Sequence, residues 1–340
     1  MKIAAAGGGT GGHLFPALSI VEKFQRKHEA EVLYFVVKGK IDEKVMKREH
    51  PSFKIIPIET RGLKRPLYSP SNVKRAFDYM REILKIKKHL KTFKPDFVLS
   101  TGGYAGGLLS LASEGKYPLF IHEQNAKPGL ANMKSSKLAR KIFLSFEGSK
   151  KYFPKEVQDK IVVTGNPIRE IHFSKRLIDI PNGIVLVLGG SLGSEDINKF
   201  MEKVYRIDKN NIYIHSTGNK EWVEKLSKYQ NVLAYQFIDF MPVLWRKAKF
   251  VIARAGATTV AEMMYYRKQG ILIPWEGSAE SHQRLNAKEA ERLGLAEVFS
   301  ITSLNVDYVI EKINNVKYKS VEITKNPSDL IYQKIMEEIR

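Results

Sequence analysis

Two glycine-rich runs, each placed directly after an apolar run, are the clearest chemical signal in this chain. The first is Gly7–Gly12 after Ile3–Ala6, and the second is Gly189–Gly193 after Ile184–Leu188. A strand that ends in glycines and leads into a helix points backbone N–H groups and a helix N-terminus at an anion, usually a phosphate. Two such loops in corresponding positions predict two nucleotide-type domains that face each other across a cleft.

The first loop matches a dinucleotide fingerprint only in its spacing. Gly7-x-Gly9-x-x-Gly12 fits, but the fingerprint also expects an acidic residue at the end of the second strand, where it binds a ribose. The second predicted strand ends at Val37 and continues with Lys38. The loop also lacks the Gly-Lys-Ser/Thr ending of a P-loop. Hydride transfer on nicotinamide and nucleoside triphosphate hydrolysis are therefore disfavoured.

More glycines and polar side chains follow the other predicted strands. A third glycine cluster, Gly102–Gly107, follows Phe97–Ser100. The strands of a doubly wound sheet share one carboxyl edge, so these groups should lie together there. Tight helix packing, helix caps and buried hydrogen bonds are the structural alternatives for each cluster alone. The polar clusters at this edge are His122–Asn125, Asn166–Arg169, Arg254–Glu262 and the stretch with His282, Gln283 and Asn286.

The Arg254–Glu262 run has the order of groups that a nucleotide diphosphate needs. Thr258 and Thr259 stand near a predicted helix start, which can hold phosphate through N–H groups and hydroxyls. Glu262 lies one turn further on, where a carboxylate can reach a ribose diol. No Asp-x-Asp pair and no His/Cys cluster has the spacing of metal ligands, so we expect neither a metal site nor a cofactor.

Short continuous apolar runs alternate with longer amphipathic runs along the whole chain, which is typical of parallel strands buried on both faces and of βαβ units. The predicted fold class is α/β, with two doubly wound Rossmann-like domains. We place the boundary at Gly165-Asn166-Pro167, giving domains 1–165 and 166–326. An amphipathic helix over 327–340 then has either domain to pack on.

The bulk composition fits a cytosolic protein with anionic partners. The 340 residues carry a formal net charge of +20 and no cysteine. No apolar run reaches the roughly 18 residues of a membrane span, and Met1 leads straight into a strand, so we expect no secretory signal. The stretch Arg61–Lys94 sets eleven Lys and Arg residues against Asp78 and Glu82. It is either a solvated helix face or a surface for nucleic acid, membrane or phosphorylated substrates.

Seven motifs, in the same order over both halves, resemble the MurG family of N-acetylglucosaminyltransferases. The resemblance spans residues 7 to about 295, and the conjunction is far more specific than any single motif. Two departures are Leu108, where the family usually has proline, and the run before Gln283, which is Glu280-Ser281-His282. The motifs are Gly7–Leu18, Gly102–Gly107, His122–Asn125, Gly165–Arg169, Gly189–Gly193, Arg254–Glu262 and Gln283–Ala287.

The resemblance implies the two-domain GT-B fold and an enzyme that transfers GlcNAc from UDP-GlcNAc. The C-terminal domain would hold most of the donor, with the backbone of Ile238 at the uracil and Glu262 at the ribose. The acceptor would be undecaprenyl-diphosphate-MurNAc-pentapeptide (lipid I), its diphosphate near Gly102, Gly103 and Tyr104. Carried over by motif, the donor contacts are Thr10, Gly11, Gly12, Asn125, Arg169, Ser191, Ile238, Ala257, Thr258, Thr259, Val260, Ala261, Glu262 and Gln283.

The implied reaction needs a base near the acceptor C4 hydroxyl, which attacks the anomeric carbon with inversion and releases UDP. His13 is the first candidate, because it is a titratable side chain on a phosphate-facing loop. A structural histidine that orders the loop is the alternative. Glu123 and Asn125 are further candidates for base and positioning, and Asp42 is a more distant one.

A lipid-anchored acceptor also favours a peripheral enzyme on the cytoplasmic face of the cell membrane. The basic and apolar stretch 61–94 is then predicted to dock on anionic lipid, with Leu67, Tyr68, Phe77, Tyr79, Ile83, Leu84 and Ile86 between its charges. No RNA-binding motif accompanies the charge, so nucleic acid is not expected as a partner. Two nearer alternatives remain open, which are a diacylglycerol glycosyltransferase and a UDP-GlcNAc epimerase on the same fold.

Overall fold

The computed structural model describes residues 1–59, 71–169, 180–190, 192–238, 240–277, 282–320 and 325–339. The chain forms two compact units. Unit 1 comprises Met1–Arg169 and Lys325–Arg340, and unit 2 comprises Glu170–Thr324. Each unit is built on a parallel sheet with helices on its faces.

Unit 1 has a seven-stranded parallel sheet in the order β3-β2-β1-β4-β5-β6-β7. Its strands are β1 (Lys2–Ala6), β2 (Glu31–Val37), β3 (Lys54–Ile58), β4 (Phe97–Ser100), β5 (Leu119–Glu123), β6 (Lys141–Leu144) and β7 (Ile161–Val163). Its α-helices are α1 (Gly11–His28), α2 (Ile41–Glu49), α3 (Ser71–Phe93), α4 (Gly103–Ser113), α5 (Leu130–Ser135) and, from the end of the chain, α12 (Pro327–Ile339).

Unit 2 repeats this plan with a six-stranded parallel sheet in the order β10-β9-β8-β11-β12-β13. Its strands are β8 (Ile184–Leu188), β9 (Tyr213–Ser216), β10 (Val232–Tyr235), β11 (Ala248–Ala253), β12 (Gln269–Leu272) and β13 (Ala296–Val298). Its α-helices are α6 (Glu195–Ile207), α7 (Lys220–Leu226), α8 (Met241–Lys247), α9 (Ala257–Tyr265), α10 (His282–Arg292) and α11 (Val306–Asn315).

Both faces of the unit 1 sheet are covered, which is why its strands read as continuous apolar runs. In β1, Ile3 and Ala5 join one buried cluster, whereas Ala4 and Ala6 join the cluster on the opposite face. Alternate residues of a strand point to opposite faces, so a strand buried on both sides must be apolar at every position. The predicted class of two doubly wound Rossmann-like domains is confirmed.

The order of the strands reverses between β1 and β4 in unit 1, and between β8 and β11 in unit 2. In open α/β sheets, ligands bind outside the carboxyl ends of the strands at such a reversal. The glycine runs Gly7–Gly12 and Gly102–Gly107 follow β1 and β4. Gly189–Gly193 and Arg254–Glu262 follow β8 and β11. These four motifs therefore lie where ligands bind in open α/β sheets.

Helix α12 closes one face of unit 1. Ile331 and Ile335 are fully buried in the same cluster as Leu14 and Phe24 of α1. Lys23 forms an ion pair with Asp329, and both side chains are partly buried. The apolar side of this amphipathic helix thus packs on unit 1.

Candidate active site

The first glycine loop is held from below by Asp42, at the start of α2. The Asp42 side chain is fully buried, and its Oδ2 accepts a hydrogen bond from the Val37 N–H at 2.6 Å. A Cβ atom on Gly8 would lie 2.1 Å from that oxygen, so only glycine fits there. Burial raises the pKa of Asp42, and hydrogen bonds from backbone N–H groups, including that of Gly9, oppose the rise. Asp42 therefore supports the loop backbone from the interior, which fits a structural role better than that of a base.

The loop leaves the N-terminus of α1 uncapped by any side chain. Thr10 occupies the N-cap position with an extended backbone, is exposed, and makes no side-chain cap bond. Gly9 before it has a φ of 89°, a conformation that glycine adopts without strain. An α-helix start presents N–H groups without intrahelical partners, together with a positive dipole end. The Thr10–Gly12 segment can thus receive an anion or a sugar oxygen.

His13 lies one residue further, in the first turn of α1, and its ring orientation is fixed. Its Nδ1 is 2.9 Å from the carbonyl oxygen of Thr101, and the Thr101 hydroxyl donates to the His13 carbonyl at 2.7 Å. Because a carbonyl only accepts, Nδ1 carries the hydrogen. In the neutral ring, Nε2 is then the atom with a free lone pair. A Cβ on Gly103 would lie 3.4 Å from His13 Cδ2 and 2.8 Å from the Gly8 oxygen, so the α4 start packs closely on this loop.

The Glu123 carboxylate is saturated with hydrogen bonds. The side chain is 1% exposed. Oε1 accepts from the backbone and side-chain amides of Asn125 at 2.9 and 3.1 Å. Oε2 accepts from the Gly129 N–H at 3.0 Å and from Asn132 Nδ2 at 2.8 Å. A carboxylate with both oxygens occupied inside the protein organises the turn after β5. This geometry favours a positioning role over proton abstraction.

The other predicted donor contacts of unit 1 have partners within that unit. The Asn125 side-chain amide is bonded to Glu123. Arg169 donates to Glu49 at 2.8 Å, and its guanidinium lies 4.8 Å from the centroid of the Phe15 ring. Both residues are held in place by these contacts. A ligand that engages Arg169 would share it with a carboxylate.

In unit 2, the loops after β8 and β9 touch through their backbones. A Cβ on Gly193 would lie 2.2 Å from the Thr217 oxygen, and one on Gly218 would lie 2.3 Å from the Gly193 Cα. Two glycines are therefore needed where the loops meet. Ser191, predicted as a donor contact in the first of these loops, is outside the described residues.

Arg254 ties that first loop to the end of β12. It is 9% exposed. Its Nε donates to the Ser194 hydroxyl at 3.1 Å, and its Nη1 donates to the Ile273 carbonyl at 3.2 Å. Ser194 is also the N-cap of α6 and accepts from the Ile197 N–H. One guanidinium thus joins two neighbouring loops at the ligand edge of the sheet.

Helix α9 starts at the strand-order reversal with a glycine cap. Gly256 is the N-cap and supplies no side-chain bond. The hydroxyl oxygen of Thr258 in the first turn is buried without a hydrogen-bond partner among the described residues. Glu262 lies one turn on and is 8% exposed. The helix start therefore offers N–H groups and a buried hydroxyl to an anion, as the spacing predicts.

The remaining predicted contacts are placed around this helix. Ile238 is 4% exposed, after the end of β10. Gln283, in the first turn of α10, accepts from the Trp275 N–H at 2.9 Å. Asn286 donates to the Ala255 carbonyl at 3.3 Å and so links α10 to the turn before α9.

Two residues that position the candidate side chains were not predicted from the sequence. Thr101 holds His13, and Asn132 holds Glu123, but neither was a candidate. Thr101 follows directly on β4 and could have been found as an edge residue, whereas Asn132 stands in a short helix with no motif. The sequence pattern places His122 and Glu123 directly after the apolar strand Leu119–Ile121, yet β5 runs through Glu123 and both side chains are buried.

Metal-binding clusters and membrane-spanning helices are both absent from the described part of the chain. Among those residues, no group of three or more His, Asp or Glu side chains is arranged to hold a metal ion. Within the same residues, no helix has the length and apolar character that crossing a membrane requires.

Comparison with known proteins identifies the family to which the chain belongs. The glycosyltransferase family 28 N-terminal domain matches residues 3–144, and the family 28 C-terminal domain matches residues 184–338. A Thermotoga maritima protein named UDP-N-acetylglucosamine–N-acetylmuramyl-(pentapeptide) pyrophosphoryl-undecaprenol N-acetylglucosamine transferase is 50% identical over 100% of this chain and 99% of its own. A Clostridioides difficile protein with the same name is 36% identical, over 94% of this chain and 81% of its own.

The similar solved structures include both transferases and epimerases, so the fold alone does not distinguish these two activities. MurG from Acinetobacter baumannii superposes with a TM-score of 0.70 at 23% identity, covering 99% of this chain and 100% of that one. A UDP-GlcNAc 2-epimerase from Methanocaldococcus jannaschii gives 0.65 at 12% identity, over 99% and 100%. At these identities the likeness is one of fold, which transferases and epimerases share. The full-length sequence identity decides the question, and the chain belongs to the MurG family of glycosyltransferases.

Proposed function

We propose that the protein transfers GlcNAc from UDP-GlcNAc to the C4 hydroxyl of undecaprenyl-diphosphate-MurNAc-pentapeptide. The observation that carries this proposal is the 50% identity, over the full length of both chains, to a relative named for that reaction. The glycine loops and helix starts at the two strand-order reversals supply suitable places for phosphate groups.

In the proposed reaction, the C4 hydroxyl oxygen forms a bond to the anomeric carbon of GlcNAc. The bond from that carbon to the diphosphate oxygen breaks, and UDP leaves with the electron pair. Attack on the face opposite the leaving group inverts the linkage from α to β. The hydroxyl proton passes to a base, for which we propose His13 Nε2, because Nδ1 is occupied by the Thr101 carbonyl.

For the donor, we propose that the diphosphate of UDP-GlcNAc lies at the start of α9. The uncapped N–H groups and the buried Thr258 hydroxyl stabilise its charge, which grows as UDP leaves. Ile238 and Glu262 are proposed to contact uracil and ribose. For the acceptor, the diphosphate is proposed to lie at the start of α4, where Gly102 is the N-cap without a side-chain bond.

We further propose that the protein docks on anionic membrane through α3. Phe77, Met80 and Leu84 follow the i, i+3, i+7 spacing of one helix face and are 75%, 58% and 60% exposed. Arg81, Lys87, Lys88 and Lys91 on the same helix are exposed. Each basic group near an anionic surface contributes about 1 kcal/mol, so a few suffice for reversible docking.

Helix α4 extends this apolar surface, whereas three apolar residues of α3 that were predicted for the surface face the core instead. Helix α4 packs on α3 and exposes Tyr104 and Leu111. Ile86, predicted between the charges, is fully buried, so its assignment to the surface was wrong, and Tyr79 and Ile83 pack partly against the core. The helix period turns those three positions inward. Leu67 and Tyr68 lie outside the described residues.

The docking proposal is tested by sedimentation with vesicles of phosphatidylcholine, alone or mixed with phosphatidylglycerol. We expect the wild type to bind the mixed vesicles more strongly, and the triple variant F77S/M80S/L84S to lose most of that binding. Ile207→Ser is the matched control, because Ile207 is 61% exposed on unit 2. Equal binding of the triple variant and the wild type would refute docking through α3.

The base assignment is tested by comparing two histidines of the same helix. His13→Ala should bind UDP-GlcNAc as the wild type does in titration calorimetry, while kcat falls about 10²–10⁴-fold. His28→Ala is the control, because His28 ends α1 and bonds to Tyr332 on α12. A His13→Ala enzyme with near-normal turnover would overturn the assignment of the base.

A further inference from the structure

His13 is the end of a chain of hydrogen bonds that runs into the interior of unit 1. Besides the Thr101 carbonyl, His13 Nδ1 faces Gln124 Oε1 at 3.1 Å. Gln124 Nε2 in turn lies 3.1 Å from His122 Nδ1 and 3.1 Å from the His122 carbonyl. His122 Nε2 lies 3.2 Å from the carbonyl oxygen of Gly165.

The far end of this chain fixes every hydrogen in it. The Gly165 carbonyl can only accept, so His122 carries its hydrogen on Nε2 and presents a lone pair at Nδ1. Gln124 must then turn its NH2 group toward His122, where the His122 carbonyl is a second acceptor. Its carbonyl oxygen is left to accept from His13 Nδ1–H. The orientation of one amide is thus determined from its inner side.

The anchoring acceptor is itself held by the sheet. The N–H groups of Thr164 and Gly165 both donate to the Leu144 carbonyl at the end of β6, at 3.0 and 3.2 Å. His122 and Gln124 are 0% and 1% exposed, so water does not compete for these bonds. The chain of hydrogen bonds therefore connects the β6–β7 edge of the sheet to the ring of His13 through two buried side chains.

We propose that His122 and Gln124 are positioning residues that hold His13 as the Nδ1–H tautomer, with its Nε2 lone pair available to the acceptor hydroxyl. This inference rests on the proposed role of His13 as the base. When His13 takes a proton at Nε2, the carbonyl dipoles of Thr101 and Gln124 already face the Nδ1–H of the imidazolium and stabilise its charge.

His122 acts here as a neutral group and not as a proton carrier. Its burial lowers its pKa to about 4, so it adds no positive charge that would oppose protonation of His13. The chain of hydrogen bonds requires, at position 122, one donor toward the Gly165 carbonyl and one acceptor toward the Gln124 amide. A glutamine side chain offers the same pair of groups, whereas phenylalanine has a similar shape and neither group.

The test combines two variants with a direct measurement of the tautomer. We expect His122→Phe to remove one of the two acceptors that orient the Gln124 NH2 group, leaving only the His122 backbone carbonyl. The amide is then held less firmly, and the fraction of His13 in the Nε2–H tautomer should rise, although the Thr101 carbonyl still favours Nδ1–H. Turnover should fall at least about tenfold, part of the 10²–10⁴-fold that a positioned base contributes, with an unchanged KM for UDP-GlcNAc. His122→Gln should restore both the tautomer and kcat. Long-range ¹H–¹⁵N spectra of histidine-labelled protein report the tautomer, and the signals missing in His13→Asn identify His13.

An unchanged His13 tautomer in His122→Phe would overturn the proposal, as would equal impairment of folded His122→Phe and His122→Gln. If His122→Phe does not fold, Gln124→Leu provides the same test, because it removes one of the two acceptors at His13 Nδ1. If folded Gln124→Leu keeps both the wild-type kcat and the Nδ1–H tautomer of His13, the proposal is also overturned. Full turnover of His13→Ala would refute the assignment of His13 as the base. The tautomer measurement is made without substrate, so it tests the hydrogen bonds from His122 and Gln124 to His13 independently of that assignment.

Discussion

Glu123→Gln separates a carboxylate that organises the site from one that removes a proton. In the wild type, Glu123 accepts four N–H hydrogen bonds, two at each oxygen, from Asn125, Gly129 and Asn132. Glutamine keeps one oxygen and places an NH2 group against the other two donors. Two hydrogen bonds to a charged group are lost, at about 1.5–3 kcal/mol each. We therefore expect unit 1 to lose about 3–6 kcal/mol of stability.

The loss should appear in thermal unfolding as a shift confined to unit 1. For a unit of this size, 1 kcal/mol lowers the melting temperature by about 2–4 °C, so a shift of at least about 6 °C is expected. The chain has three tryptophans, Trp222, Trp245 and Trp275, and all stand in unit 2. Tryptophan fluorescence thus follows unit 2 as an internal control, while calorimetry records both transitions. An unshifted unit 1 transition together with a 100-fold fall in kcat would mean that Glu123 is the base and does not organise the turn after β5.

Three further perturbations test other parts of the structure. Gly103→Ala should lower kcat about 10²-fold, because the new Cβ displaces the loop beside His13. Gly115→Ala is the control and should remain active, because Gly115 has nearly the same φ (68° against 70°) but open space around it. Equal activities of the two variants in a steady-state assay would refute this prediction. Arg254→Lys should raise the KM for UDP-GlcNAc about tenfold or more, because one ammonium cannot reach both Ser194 and the end of β12; an unchanged KM would contradict it. Burial lowers the pKa of His215 to about 3, below its ordinary 6.5, so the unfolded chain takes up a proton first as the pH falls. Unit 2 should lose about 2–3 kcal/mol between pH 6.5 and 4.5, and His215→Gln should flatten this slope in urea unfolding followed by fluorescence; parallel slopes would refute it.

Much of the fold was predictable because buried parallel strands are apolar at every position. The helix with the weakest sequence signal is α4, because its start, Gly103–Gly107, has the glycine-rich composition of a loop. Glycine weakens a helix, but a Cβ on Gly106 would lie 2.6 Å from the Ser100 hydroxyl, so close packing on the sheet requires it. Strand β13 was missed because it is three residues long and only its first residue is buried.

The sheet edge that carries the candidate site residues was predictable from the sequence, whereas the hydrogen-bond partners of each side chain were not. The glycine runs and Arg254–Glu262 follow the strands at the two strand-order reversals, and the other polar clusters lie at the same edges because parallel strands share one carboxyl edge. Whether a carboxylate at that edge is free or saturated depends on partners from other elements. Asn132, which saturates Glu123, stands in α5, and Thr101, which fixes the His13 ring, follows β4. No local pattern connects such pairs.

The proposed reaction moves GlcNAc from UDP to a lipid-linked acceptor. The direct measurement is incubation with UDP-GlcNAc labelled in the sugar, with and without undecaprenyl-diphosphate-MurNAc-pentapeptide, followed by extraction of the lipid. We predict that label enters the lipid fraction in a β-linkage, and that UDP is released only when the acceptor is present. Release of UDP or conversion of the sugar without acceptor, as an epimerase would give, would show that the protein is not this transferase.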